Sequence, residues 1–193
     1  MREHGFTPIT VALDRSAEDA RPWIEAARPT HPSLIDPWHV VADLYNVVNV
    51  PTDVWIDERG RLSRPNDVGF GTDTFRALTG IDSAKHVDAV RAWVTGRTPP
   101  LAGDRVRGLQ TLPGPADQQA RAEYALGRWL WERGRVEAAG RHFDRAGALA
   151  PHDFTIRRGT MPMRGVDPMG PEFRRMFAEW KDAGQPYYRP LPS

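Results

Sequence analysis

Few residues in this chain could do chemistry, and one nucleophile is missing outright, because there is no cysteine. Disulfides, thiolate metal sites and thiol redox cycling are therefore closed to these residues. The histidines at 4, 31, 39, 86, 142 and 152 show no metal-ligand spacing, and no glycine-rich phosphate loop is present. Sequence order assembles no Ser-His-Asp set. Asp53 and Asp57 fall on one strand-like run at even spacing, which puts both on one face, although Asp57 is better used by the turn that follows. Pro51, in Val50-Pro51-Thr52, removes a backbone donor just before that strand. Arg121, Tyr124, Arg128 and Trp131 recur at helical spacing and share one helix face. Such a row could hold an acidic peptide tail, or it could cover a contact with the rest of the chain.

These residues are positioned by a readable order of elements. Residues 6–14 (FTPITVALD) alternate apolar and small residues as a buried strand does. Ser16 is a helix N-cap, and Pro22 sits awkwardly inside the helix it opens. Residues 31–36 are extended. Asp36 followed by Pro37 reads as a helix start, with Val40, Val41, Leu44 and Val47 as its apolar stripe. Residues 53–64 read as a hairpin around Glu58-Arg59-Gly60. A helical turn is expected near Phe75–Leu78, then a helix capped at Asp82 or Ser83 and ended by Gly96. Residues 97–117 are rich in proline and glycine and read as a linker. Two helical stretches follow, broken at Gly134. Phe173, Met176, Phe177 and Trp180 then mark a last helix. Residues 186–193 read as a proline-rich surface tail.

Composition bounds the function classes. The chain has 193 residues, 40% hydrophobic and 26% charged, with a net charge of +1. All basic residues but Lys85 and Lys181 are arginine, and they are dispersed, so no nucleic-acid partner is expected. No run approaches the roughly 20 apolar residues of a membrane span. No leader precedes the first strand, which as written points to the cytoplasm. Nothing in the sequence calls for a cofactor.

The ordered segments ITVALD (9–14), PSLID (32–36) and VVADLYNVVNVPTDVWIDERGRL (40–62), with the helix at 83–95, resemble the thioredoxin-like redoxins of the TlpA/ResA type. Tyr45-Asn46-Val47, Val50-Pro51-Thr52, Ile56-Asp57 and Gly60 fit that pattern position by position. The resemblance covers residues 6–96. It implies a cis Val50–Pro51 bond, reachable for about 0.5–1 kcal/mol, and a substrate-facing loop made of Val50, Pro51 and Thr52. The departure is as plain as the match. The family opens with a central strand and a Cys-x-x-Cys helix, where the helix dipole favours thiolate. Neither is present.

The fold class expected is therefore α/β: an incomplete thioredoxin-like domain at 1–96, the linker, a helical region at 118–185, and the tail. Ala120–Asp153 spans 34 residues, the length of one tetratricopeptide repeat, and Leu126, Gly127, Gly134, Ala139, Phe143, Ala146 and Pro151 match its small and large positions. One repeat cannot stand alone, so this hairpin should pack on the redoxin part or on the last helix. The function implied is the C-terminal portion of a thiol or selenol oxidoreductase, itself without the nucleophile. Protein or peptide thiols would be its substrates in a full-length form that carries the redox segment upstream. The alternative is a non-catalytic binding or scaffold protein. A missing central strand would leave residues 9–13 with a free edge that invites self-association.

Overall fold

The computed structural model describes residues 1–184 and 186–189. Among them helices dominate, with one small two-stranded parallel sheet. The chain divides into two compact units. The first is Met1–His39 with Pro51–Gln110; the second is Val40–Val50 with Thr111–Pro190.

In the first unit, strand β1 (Thr10–Ala12) and strand β2 (Ser33–Ile35) pair in parallel, Val11 opposite Leu34. Helix α1 (Ala17–Ala27) connects them, as a parallel pair requires a crossover. The Ser16 hydroxyl accepts from the Asp19 N–H and caps α1, which continues through Pro22. The ladder is much shorter than the expected 6–14 strand. Ile9 and Leu34 are 58% and 53% exposed. A strand extends only as far as it has a partner, and among the described residues β1 has one.

After Pro51 the chain makes an antiparallel hairpin, bridged at Asp53–Asp67 and Ile56–Leu62. Short helix α3 (Arg76–Thr79) and helix α4 (Ser83–Val94) follow, α4 capped by the Asp82 carboxylate on the Ala84 N–H. The stretch read as a linker contains helix α5 (Gly103–Leu109), which buries Val106. Its glycines and flanking prolines hid a short helix held by one apolar side chain.

The second unit begins with α2 (Val40–Leu44). It starts later than Pro37 because His39 takes a left-handed conformation, φ 57°, which a right-handed helix cannot contain. Helices α6 (Pro115–Glu132) and α7 (Val136–Leu149) form the antiparallel hairpin. Gly114, Pro115 and Asp117 open α6, the Asp117 carboxylate accepting from the Gly114 N–H at 2.8 Å. A Cβ on Gly127 would stand 2.7 Å from the Phe143 ring and 3.2 Å from the Ala139 carbonyl oxygen. Glycine is what lets the two helices meet there.

Helix α8 (Phe154–Gly159) and helix α9 (Pro171–Asp182) complete the unit. Ile156 joins Ala139, Phe143 and Ala146 in one core. Phe154, Met161, Phe173 and Met176 form a second. Within residues 186–189 Pro186 and Arg189 are exposed, as a surface tail should be, but Tyr187 stacks on Trp180 at 4.0 Å and Tyr188 is buried. The rest of the expected tail, 190–193, lies outside the described residues. No helix among the described residues is long and apolar enough to cross a membrane.

Candidate functional site

In the first unit, the chain leaves the Pro51 turn at Asp53. The Asp53 N–H donates to the Asp67 carbonyl at 2.9 Å. The Asp53 carboxylate meets His86 Nε2 of α4 at 2.5 Å. Gly69 lies so close that a Cβ there would collide with this carboxylate. Two residues on, Trp55 stacks on Trp93 at 5.1 Å and meets His86 edge-on at 6.3 Å. The Arg64 guanidinium covers the Trp55 ring at 4.4 Å, a cation–π contact. Phe6 closes on Trp93 edge-on at 6.4 Å.

Sequence reading missed His86. Its signal was the spacing to Trp93: two turns apart on α4, both side chains face Trp55. A carboxylate on Nε2 fixes the orientation of the ring and leaves Nδ1 outside the pair. Among the described residues His86 makes no other hydrogen bond, so no nucleophile is attached to the pair.

Asp57 does what its sequence position suggested. One carboxylate oxygen accepts from the N–H groups of Arg59 and Arg61, and the other holds the Arg61 guanidinium. The backbone bond from Arg61 is the chief reason its carboxyl sits below the usual range. Of the predicted loop, Val50 is half exposed, and Pro51 and Thr52 are partly buried.

The second unit places the α6 row differently from an open concave face. Tyr124 and Arg128 are inside, at 5% and 4% exposed. Burial pushes the Tyr124 hydroxyl up to about 12 against the pull of Arg128. Trp131 packs against the hairpin core. Arg121 reaches the segment Val40–Val50. Its guanidinium lies 3.3 Å from the Asp43 carboxylate and donates to the Asp43 carbonyl at 3.2 Å and to Asn46 Oδ1 at 2.5 Å. Asn46 Nδ2 donates in turn to the Thr111 carbonyl at 2.6 Å.

Next to Arg121 lies Asp153, 5% exposed, which caps α8. Its Oδ1 accepts from the Thr155 and Ile156 N–H groups and from the Thr155 hydroxyl. Burial nevertheless dominates and pushes its carboxyl up to about 6. Neither unit gathers three metal-ligating side chains among the described residues.

Comparisons of the chain with protein-family models, with curated proteins and with solved structures found no match.

Proposed function

We propose that this chain supplies the substrate-loop side of a thioredoxin-like thiol or selenol oxidoreductase, and that the redox nucleophile rides on a further strand and helix that pair with β1. The observation that supports this reading is the unfinished parallel sheet. Parallel sheets are covered on both faces and seldom stop at two strands, yet here Ile9 and Leu34 stand open on the pair. Along the chain the order of elements is the one the redoxin resemblance rests on: strand, helix, short strand, helix, Val50-Pro51-Thr52, hairpin, helix α4. The chain alone has no thiol with which to turn over.

The experiment compares this chain with a longer one carrying a strand and a Cys-x-x-Cys (or selenocysteine) helix ahead of Met1. The longer chain should melt at a higher temperature and show thiol-dependent turnover, while this chain shows neither gain nor turnover. Equal melting temperatures, with no turnover in either, would favour a non-catalytic binding or scaffold protein, the reading that the absence of cysteine otherwise supports.

A further inference from the structure

The second unit holds an eleven-residue stretch of its own chain as a receptor holds a peptide. Recognition is of two kinds. The main chain of the stretch is gripped without regard to sequence: the Phe154 N–H donates to the Val48 carbonyl at 2.8 Å, and the Val48 N–H donates to the Tyr188 hydroxyl at 3.0 Å. The Thr155 hydroxyl reaches the Val47 carbonyl at 3.4 Å. Its side chains are read by Arg121, which takes the Asp43 carboxylate and, three residues on, the Asn46 amide oxygen. Backbone bonds for affinity with separate side-chain pockets for specificity is how extended peptides are recognised.

The two sides of this contact lie far apart in sequence, 75 residues for Asn46–Arg121 and 140 for Val48–Tyr188. The stretch is therefore a distant segment folded in, and not part of the helical run that receives it. It also contributes little to the unit's core. Ala42 is its buried apolar residue, while Val40, Leu44 and Val50 are 56%, 79% and 50% exposed. Asn46 stands in a left-handed conformation, φ 51°, that closes α2, its N–H on the Asp43 carbonyl and the Val47 N–H on the Ala42 carbonyl, while its side chain is held from outside the stretch by Arg121 and Thr111.

We propose that the helical unit is a peptide-recognition groove for an acidic segment with a carboxylate followed three residues later by a side-chain amide, and that Val40–Val50 is its resident occupant in cis. Arg121 is the specificity residue. Thr155, Tyr188 and the Phe154 backbone are the main-chain clamp. This holds whether or not the sheet of the first unit is completed by a redox strand.

The test uses the full chain. Tethering gives the resident segment an effective concentration on the order of millimolar, so wild type should bind a fluorescein-labelled peptide of residues 38–50 poorly. The Asp43→Ala/Asn46→Ala variant, whose resident segment has lost its side-chain grip, should bind that peptide at least about tenfold tighter by anisotropy. Adding Arg121→Ala should abolish the gain. Hydrogen exchange on wild type gives a second reading that needs no variant. The Tyr45, Val47 and Val48 amides should exchange at least about tenfold faster than those of Ala139 and Ala150, as a segment that opens separately from the hairpin. Equal protection across both sets would make Val40–Val50 an ordinary part of the fold and overturn the proposal. So would a folded double variant that binds the peptide no better than wild type.

Discussion

Both units bury polar residues, but they differ in the large apolar side chains they bury with them. Among the described residues of the first, the buried apolar side chains are Ala20, Trp55, Pro65 and Val106, and they share the interior with Asp36, His39, Ser63 and Asn66. In the second, Phe143, Phe154, Ile156, Met163, Phe173 and Met176 are all buried. The second unit thus has two apolar cores that stabilise it. The first is held by a few separate contacts: the Asp57 turn, the Trp55–Trp93 stack, the Asp53–His86 pair. Its large apolar residues Ile9, Trp23, Leu34 and Trp38 face outward. The difference teaches that helices made from neighbouring residues find their partners at once, whereas a parallel sheet depends on strands brought from elsewhere.

The sharpest way to break this comparison is to remove one large apolar side chain from each unit. Phe143→Ala should cost about 3–5 kcal/mol in denaturant melts, because the ring is 3% exposed and fills the gap left by Gly127. Leu34→Ala in the first unit should cost under about 0.5 kcal/mol, since its side chain is already half in water. A small loss for Phe143→Ala would mean that the helix pair is not what holds the second unit.

Acid should act on the two units with opposite signs. Asp153 has a folded pKa near 6, above its unfolded value of 3.8, because it is buried. Between about pH 4 and 6 the folded state then holds more protons than the unfolded one. The stability of the second unit is therefore greatest below pH 4 and declines as pH rises to about 6, by roughly 2–3 kcal/mol in all. Its Oδ1 carries the three capping bonds, so Oδ2 is the oxygen that takes the proton. Asp153→Asn should keep the cap and flatten this slope. In the first unit, Asp57 and Asp73 sit below the usual range, chiefly through backbone bonds from Arg61 and Ser83. Their contribution is present above pH 4 and lost as pH falls below it. Residue-resolved hydrogen exchange at pH 4 and pH 7 separates the two responses. A second unit equally protected at both would show that Asp153 is charged at no cost.

Gly127→Ala makes a smaller intrusion. The added methyl would press on the Phe143 ring and the Ala139 carbonyl, and overpacking of this kind costs about 1–3 kcal/mol. Gly140→Ala, on the opposite side of the pair with nothing within 4 Å, should stabilise the helix slightly. If the two substitutions had equal effects, the close approach at Gly127 would be wrong.

How far the sequence revealed this arrangement follows from the range of each contact. The α6–α7 pair was legible because its signals are periodic and local: Gly127, Ala139 and Phe143 recur at helical spacing around the Gly134 break. Ser16, Asp82 and Asp57 were legible for the same reason, each acting within a few residues of itself. The strand at 6–14 was overestimated, because alternation reports a side chain's suitability for a sheet and not the presence of a neighbour. The helix expected at Pro37 failed on the left-handed His39, whose conformation no propensity foretells. The Asp53–His86 pair and the hold of Arg121 on Asp43 join residues 33 and 78 positions apart in sequence. No local pattern could pair them, although the two-turn spacing of His86 and Trp93 marked the α4 face involved.

The smallest expected change in stability carries the largest consequence for association. Ile9 flanks β1, and Leu34 lies on β2 opposite Val11, both more than half exposed. Each strand of a two-stranded sheet keeps one row of N–H and C=O groups without a ladder partner, a template for pairing with another chain. The purified chain should therefore self-associate with rising concentration. Ile9→Lys and Leu34→Lys should leave the melting temperature within error, since exposed substitutions rarely exceed about 0.5 kcal/mol, while lowering light scattering, because a charge at an edge opposes edge-to-edge pairing. Melting and scattering are recorded side by side on the same samples. A monomeric wild type would mean that the short ladder is satisfied as it stands, and the argument for a missing strand would fall with it. Scattering that persists in both lysine variants would move the sticky surface away from the sheet, toward the exposed Trp23 and Trp38.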